Sequence, residues 1–483
     1  MKTNIKYLCC GAIAMAFCLS GTASAADYTI QVKKSLTGDD VANHQFEFEL
    51  RSATTNELIQ TKKSNQETIT FDPITGDFSR SPIDFYKVVE KDLGENGMVY
   101  DKQVAYIGLY PNGKVAYQKD NTYKYLSKDG QPHPYHATDE ELQGEAYAVL
   151  DIETGILTFF RDEAGKYTNK QIIGNKIYFA NFEKPASDIF KSGTYIDINN
   201  DRIYLQEVVK EVIFKDAVRP EGKLNGWFEH YEELTKADIN KLDTSRVTGL
   251  NNFLAYTKKL EDVDITKLDF SSLSGGWSLQ GFLAYSNGIK EFDSRNYDFS
   301  TTADLYVTGE FLTGDYYATD DFGLRYVNLE KMVSKGSSGE LSGQPCIEKI
   351  VLGKHHSLYG GGTHFNDGMP WLNIDTGEIL PADEYGEAPG RFREYLPERM
   401  AEAAGTYVKP TCNTDPVTFE NSYVKTAPVA PAKEEAKKPQ NPNTAATTPA
   451  IYFTLFGALS AAAALVIRKQ SKILGHNNDI SKN

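Results

Sequence analysis

A stretch of this chain repeats itself, and that restricts the fold more than any other feature. Residues 234–259 read LTKADINKLDTSRVTGLNNFLAYTKK, and residues 260–288 read LEDVDITKLDFSSLSGGWSLQGFLAYSNG. Lys241-Leu242-Asp243 returns as Lys267-Leu268-Asp269, and Phe253-Leu254-Ala255-Tyr256 returns as Phe282-Leu283-Ala284-Tyr285. A period of roughly 25–30 residues is that of a solenoid, in which each unit covers its apolar face only against its neighbours. A third unit begins at Ile289-Lys290-Glu291-Phe292-Asp293 and then drifts. Ile347-Glu348-Lys349-Ile350-Val351-Leu352 reads as a closing strand. The repeating region spans 145–409.

The flanks have a different period. From Tyr28 to Tyr117 apolar residues alternate: Ile30, Val32 and Leu36; Phe46, Phe48 and Leu50; Ile69 and Phe71; Tyr86 and Val88; Val104 and Tyr106; and, after an Asn112-Gly113 turn, Val115 and Tyr117. Period two with regular turn residues predicts the strands of a β-sandwich over 26–125. One more strand is expected within 412–425, where Val417, Phe419 and Tyr423 alternate. The chain is thus expected to be mainly β, a sandwich interrupted by an inserted solenoid. Its 483 residues exceed what one core holds.

Three polar residues share the inward parity of these strands. Lys34 lies on the face of Val32 and Leu36, Glu90 on that of Tyr86 and Val88, and Asn421 on that of Phe419 and Tyr423. An isolated buried amine or carboxyl is costly, so the trio points to one shared site. Burial lowers the pKa of a lysine and raises that of a glutamic acid, which makes neutral amine and neutral acid accessible near pH 7.

Two resemblances sharpen this picture. Lys34-Ser35-Leu36-Thr37-Gly38, Phe71-Asp72-Pro73-Ile74, the Tyr86-x-Val88-x-Glu90 run and the Phe419-x-Asn421-x-Tyr423 run resemble, in order, the KxLxG, FDPI, YxIxE and FxNxY segments of streptococcal-type pilin isopeptide-linkage (CnaB-like) domains. That resemblance implies an Ig-like sandwich closed by a bond between Lys34 and Asn421, formed once with Glu90 as the catalytic acid–base. Asn181, in Phe179-Ala180-Asn181-Phe182, is a second candidate acceptor. The repeating region, with Asp243-Thr244-Ser245-Arg246-Val247-Thr248, resembles BspA-like leucine-rich-repeat surface proteins, as do Trp371, Thr376-Gly377-Glu378 and Ala404-Gly405-Thr406-Tyr407 further on. A solenoid of α/β repeats is the implied fold.

Both termini bear on location. Lys2 and Lys6, an apolar stretch from Tyr7 to Leu19 and Ala23-Ser24-Ala25 read as a signal peptide over 1–25. Residues 426–449 are rich in Pro, Ala, Lys and Glu and read as an extended spacer. The run 450–467, about 18 residues, is long enough to span a bilayer core. Basic Arg468, Lys469 and Lys472 in the tail 468–483 keep that end cytoplasmic. Asn441-Pro442-Asn443-Thr444-Ala445 before that run resembles the sorting motif of Gram-positive cell-wall proteins, with Asn441 where Leu is usual and Ala445 where Gly is usual. This resemblance implies an exported chain joined by a sortase to peptidoglycan; a plain membrane anchor is the alternative. Export permits a disulfide between Cys346 and Cys412, the cysteines left after the signal peptide; the sequence leaves their pairing open.

Charge and motifs narrow the function. A formal net charge of −15 disfavours nucleic acid. Asp197-Ile198-Asn199-Asn200-Asp201 lacks the Gly and Glu of a calcium loop, and His355, His356, His364 and Asp367 have no standard ligand spacing, so neither metal nor cofactor is expected. Tyr110-Pro111-Asn112-Gly113 lacks the Lys of the pilin motif it resembles. No nucleophile elbow, HExxH, P-loop or dinucleotide fingerprint occurs, so turnover catalysis is not expected. The expectation is a wall-anchored adhesin whose repeats bind a host extracellular-matrix or cell-surface protein. A pilus subunit is the alternative, and a secreted wall-active enzyme a more distant one.

Overall fold

The computed structural model describes residues 26–425, except 77–83, 111–112, 119–131, 199–200, 275–276, 287, 298, 300–309, 316–322, 334–340, 356–357, 359–369, 382–391, 393–400 and 411. The expected signal peptide, spacer, sorting motif and membrane-spanning run lie outside the described residues. Contacts divide the chain into Met1–Thr426, which holds everything described, and Ala427–Asn483. Among the described residues no helix is long and apolar enough to cross a membrane. The described chain is mainly β.

Among the described residues ten strands precede the repeats: β1 (Ala26–Tyr28), β2 (Gln31–Thr37), β3 (Phe46–Ser52), β4 (Leu58–Ser64), β5 (Thr68–Thr70), β6 (Ile74–Gly76), β7 (Asp84–Glu90), β8 (Met98–Val99), β9 (Val104–Leu109) and β10 (Val115–Gln118). A terminal strand, Thr418–Tyr423, returns after the repeats. Five strands form one sheet in the order β10-β9-β7-β3-β4. Four form another, β5-β2-terminal strand-β8, in which β2 and the terminal strand run parallel, Lys34 opposite Phe419 and Leu36 opposite Asn421. Parallel neighbours need a long crossover, and here the whole repeat region supplies it.

The alternation of apolar residues determines which faces meet. Val32, Ile69 and Phe419 from the four-stranded sheet, with Val417 just before its terminal strand, share one core with Phe46, Phe48, Leu50, Val88, Ala105 and Ile107 from the other. Phe48 and Phe419 meet edge to face with ring centroids 5.3 Å apart. At the end of β2, Gly38 adopts φ 99°, and a Cβ there would lie 2.1 Å from the Tyr423 carbonyl oxygen. Gly38→Ala is therefore expected to cost about 1 kcal/mol or more through left-handed strain and displacement of the terminal strand. An unchanged denaturant midpoint would refute this.

Among the described residues the repeat region has two large sheets, two small two-stranded ones and one main core. Strands Ile156–Asp162, Glu211–Phe214, Lys236–Asp238 and Asp262–Val263 pair in parallel, as do Glu291–Asp293, Tyr326–Leu329 and Lys349–Leu352. Antiparallel strands close both ends: Glu145–Asp151 with Lys176–Phe179 at the start, Gly405–Val408 with Trp371–Asn373 at the finish. A single apolar cluster runs beneath both large sheets from Ala146 to Tyr407. Successive turns of chain place equivalent side chains over one another, so Phe253, Phe282 and Phe311 stack in a column at 6.1 and 5.7 Å. Acid and base also meet across neighbouring turns, in Glu211–Lys236, Glu221–Arg246, Glu232–Lys258 and Glu233–Lys259.

One expectation is corrected by this geometry. Among the described residues the segments opposite the parallel strands are tandem turns, not the helices of α/β repeats. Gly226 and His230, Asn252 and Tyr256, and Gly281 and Tyr285 all have positive φ, which interrupts any right-handed helical run every fourth residue. The backbone instead bonds between turns of the chain. Leu224, Gly226, Phe228 and His230 donate to the carbonyls of Gly249, Asn251, Phe253 and Ala255. Leu250, Asn252, Leu254 and Tyr256 donate in the same way to Ser278, Gln280, Phe282 and Ala284.

The two bodies touch directly. Ala53, just after β3, and Phe85 of β7 pack with Leu372 and Val408 of the repeat region's closing strands. Tyr110 donates its hydroxyl to the Pro410 carbonyl, and the Tyr117 N–H donates to the Asn413 carbonyl. Cys346 and Cys412 are joined by a disulfide, which fastens the repeat region to the segment leading into the terminal strand. A strap before the first repeat strand adds a contact that the sequence did not suggest. Tyr135 N–H donates to the Lys267 carbonyl, Ala137 N–H to Asp243, and the His136 ring meets Asp269.

Candidate functional site

The inward parity of β2, β7 and the terminal strand brings Lys34, Glu90 and Asn421 together between the two sheets. Lys34 Nζ lies 2.9 Å from Glu90 Oε2, and both side chains are wholly shielded from solvent. Asn421 Nδ2 donates to Glu90 Oε1 at 3.0 Å. One carboxyl group thus touches the amine with one oxygen and the carboxamide with the other. Lys34 Nζ also lies 4.8 Å from the centroid of the Phe46 ring. The reaching residues come from opposite sheets, since Glu90 pairs with Phe48 across β3 while Lys34 and Asn421 sit on the neighbouring strands of the other sheet.

The fourth partner is a loop residue. Asp101 N–H donates to Asn421 Oδ1 at 2.7 Å. This fixes the orientation of the amide. A flipped Asn421 would set its NH2 against an N–H and its oxygen against a carboxyl oxygen. Gln103 completes the loop by donating to the Thr418 carbonyl at 2.6 Å.

Electrostatics push the pair toward neutrality from both ends. Burial lowers the pKa of Lys34, opposed by its hydrogen bond and charge interaction with Glu90. Burial raises the pKa of Glu90, opposed by Lys34 and Asn421 and reinforced by the negative charge of Asp101. Desolvation leads in each case, so the uncharged amine and acid are closer in energy to the ion pair than they would be in water. The arrangement offers a nucleophile, an electrophilic carboxamide and a proton carrier between them.

The remaining candidates fall elsewhere. Asn181, the second candidate acceptor, is an exposed residue at φ 58° after the strand Lys176–Phe179 and is not among the partners of Lys34. Asp197 lies in the hairpin Tyr195–Ile198/Asp201–Tyr204, 3.7 Å from Arg202. Asn199, Asn200, Asn112, His356, His364 and Asp367 lie outside the described residues. Among the described residues no group of three metal-ligating side chains occurs. Asn441, Pro442, Asn443, Thr444 and Ala445 also lie outside them.

Lys34, Glu90 and Asn421 stood out in the sequence because each breaks an apolar alternation. Asp101 carried no such signal, since it acts through its backbone N–H and lies between strands. The local pattern Asp101-Lys102-Gln103 marks only a turn, in which the carboxylate accepts the Gln103 N–H at 2.9 Å. The chain matches no family model and no curated protein.

Proposed function

We propose that this chain is a cell-wall-anchored surface adhesin, in which a covalently cross-linked CnaB-like sandwich carries a BspA-like leucine-rich-repeat solenoid. In this reading the chain is exported, a sortase acts at Asn441–Ala445, and peptidoglycan receives the new C-terminus. The repeats present their surface to a host extracellular-matrix or cell-surface protein. Repeat stacks suit that task because they expose extended, rigid surfaces.

One observation supports the reading best: the Glu90 carboxyl group bridges the Lys34 amine and the Asn421 carboxamide in a site closed to water. The Lys34 amine attacks Asn421 Cγ, and the new N–C bond replaces the Cγ–Nδ2 bond. Glu90 takes a proton from the amine and gives it to the departing nitrogen, which leaves as ammonia. Holding the groups in contact removes the entropic barrier to a reaction that is slow between free amines and amides. Each molecule reacts once, so this is maturation and not turnover.

Intact mass tests the cross-link. With the Cys346–Cys412 disulfide reduced, the mature chain is expected to weigh about 17 Da less than its sequence, the mass of one ammonia. Glu90→Ala and Asn421→Ala are each expected to restore the full mass. An undiminished mass in the unmutated chain would overturn the cross-linked sandwich and leave the anchored adhesin to be tested by release of the chain from isolated cell walls.

A further inference from the structure

We propose that the backbone N–H of Asp101 is the oxyanion donor of the cross-linking reaction, and that the Asp101 carboxylate holds it in position. This rests on the reading of Lys34, Glu90 and Asn421 given above, and deepens it.

Attack of an amine on a carboxamide drives negative charge onto the carbonyl oxygen before the C–N bond breaks. A donor already aimed at that oxygen lowers the barrier most, because nothing has to reorganise as the charge appears. Glu90 cannot serve. Its Oε2 faces Lys34 Nζ and its Oε1 faces Asn421 Nδ2, so it stands on the nitrogen side of the amide. Asp101 N–H stands on the oxygen side, 2.7 Å from Oδ1. The two functions are therefore divided between two faces of one carboxamide: charge is stabilised at Oδ1, and a proton is delivered at Nδ2. Electrons pass from Nζ to Cγ and on to Oδ1. They return as the carbonyl reforms and ammonia departs with the proton that Glu90 carries over from Nζ.

The N–H is held by reciprocal bonds. Asp101 Oδ2 accepts the Glu420 N–H at 2.7 Å, while Asp101 N–H donates to the side chain of the next residue, Asn421. Gln103 Nε2 donates to the same Oδ2 at 2.7 Å and to the Thr418 carbonyl at 2.6 Å. The loop thus occupies an edge of the terminal strand where β8 does not reach, since β8 pairs only with Ser422 and Tyr423. Freed from this clamp, the Asn421 amide could turn over and present its oxygen to Glu90, leaving the departing nitrogen without a proton source.

The test tracks ammonia loss by intact mass over time in full chain freshly made by cell-free synthesis. Asp101→Ala is expected to slow it by roughly tenfold or more, given what single oxyanion donors contribute. Gln103→Ala, which loosens the same clamp by removing a donor to Asp101 while leaving residue 101 unchanged, is expected to slow it several-fold. Asp101→Asn, which keeps an acceptor for the clamp, is expected to recover most of the rate lost in Asp101→Ala. Rates are compared at equal folded fraction, so a role confined to stability would leave them unchanged. Unmutated chain that loses mass while both Asp101→Ala and Gln103→Ala lose it equally fast would overturn the proposal alone. Unmutated chain that never loses mass would overturn both the proposal and the cross-link on which it rests.

Discussion

Glu90→Ala is expected to lower the thermal midpoint of the two-sheet body by roughly 10 °C or more, alongside abolishing ammonia loss. Two costs combine. Removing the carboxyl leaves Lys34 as an unpaired amine in a site closed to water, and breaking a buried pair in this way costs about 3–5 kcal/mol. Without the carboxyl the bond from Lys34 to Asn421 also fails to form. That bond would close a loop of roughly 390 residues, for which the chain-entropy expression gives about 6 kcal/mol. The sign of the first cost can be checked separately. Replacing both charges with apolar residues, Lys34→Met together with Glu90→Leu, is expected to be more stable than Glu90→Ala alone, since a filled apolar site has no stranded charge. A Glu90→Ala chain that unfolds at the unmutated temperature would refute both terms.

The second large effect concerns the sulfur link. Cys346→Ala combined with Cys412→Ala is expected to lose about 4 kcal/mol, from the entropy of a closed loop with a sequence separation of 66. The loss should be local. The loop carries the strands Lys349–Leu352, Trp371–Asn373, Ile379–Leu380 and Gly405–Val408, which end the repeat region's sheet and pack on the five-stranded sheet through Leu372 and Val408. Protease cleavage within 353–404 is expected to accelerate in the double variant and in reduced protein. An unchanged denaturant midpoint and unchanged cleavage would contradict the prediction.

Much of the site could be read from parity, because a strand has only two faces. Once Val32 and Leu36 point inward, Lys34 must do the same, as must Glu90 after Val88 and Asn421 after Phe419. Parity is silent about loops. Asp101 contributes a backbone N–H that every residue but proline has, so no side-chain pattern could announce it. The strap through Tyr135, His136 and Ala137 was hidden for a similar reason, because its partners Asp243 and Asp269 lie more than a hundred residues away. The repeats were visible as a period, but their internal geometry was not. Spacing of Phe253 and Phe282 is the same whether turns or helices join the strands. What decided between them was the left-handed backbone at Asn252, Tyr256 and Tyr285, which a sequence of ordinary residues does not declare. The pairing of Cys346 with Cys412 depended on a distance that only the folded chain supplies.

The disulfide also reroutes tension. If the molecule is held by an early turn of the repeats and pulled from beyond Thr426, strain travelling along the backbone reaches Cys346 and crosses to Cys412 through two sulfur atoms. The intervening residues hang in a slack side loop and bear none of the pull, however firmly or weakly their strands are packed. Reduction would place that loop back in series on the backbone path from Cys346 to Cys412, so that the path can lengthen.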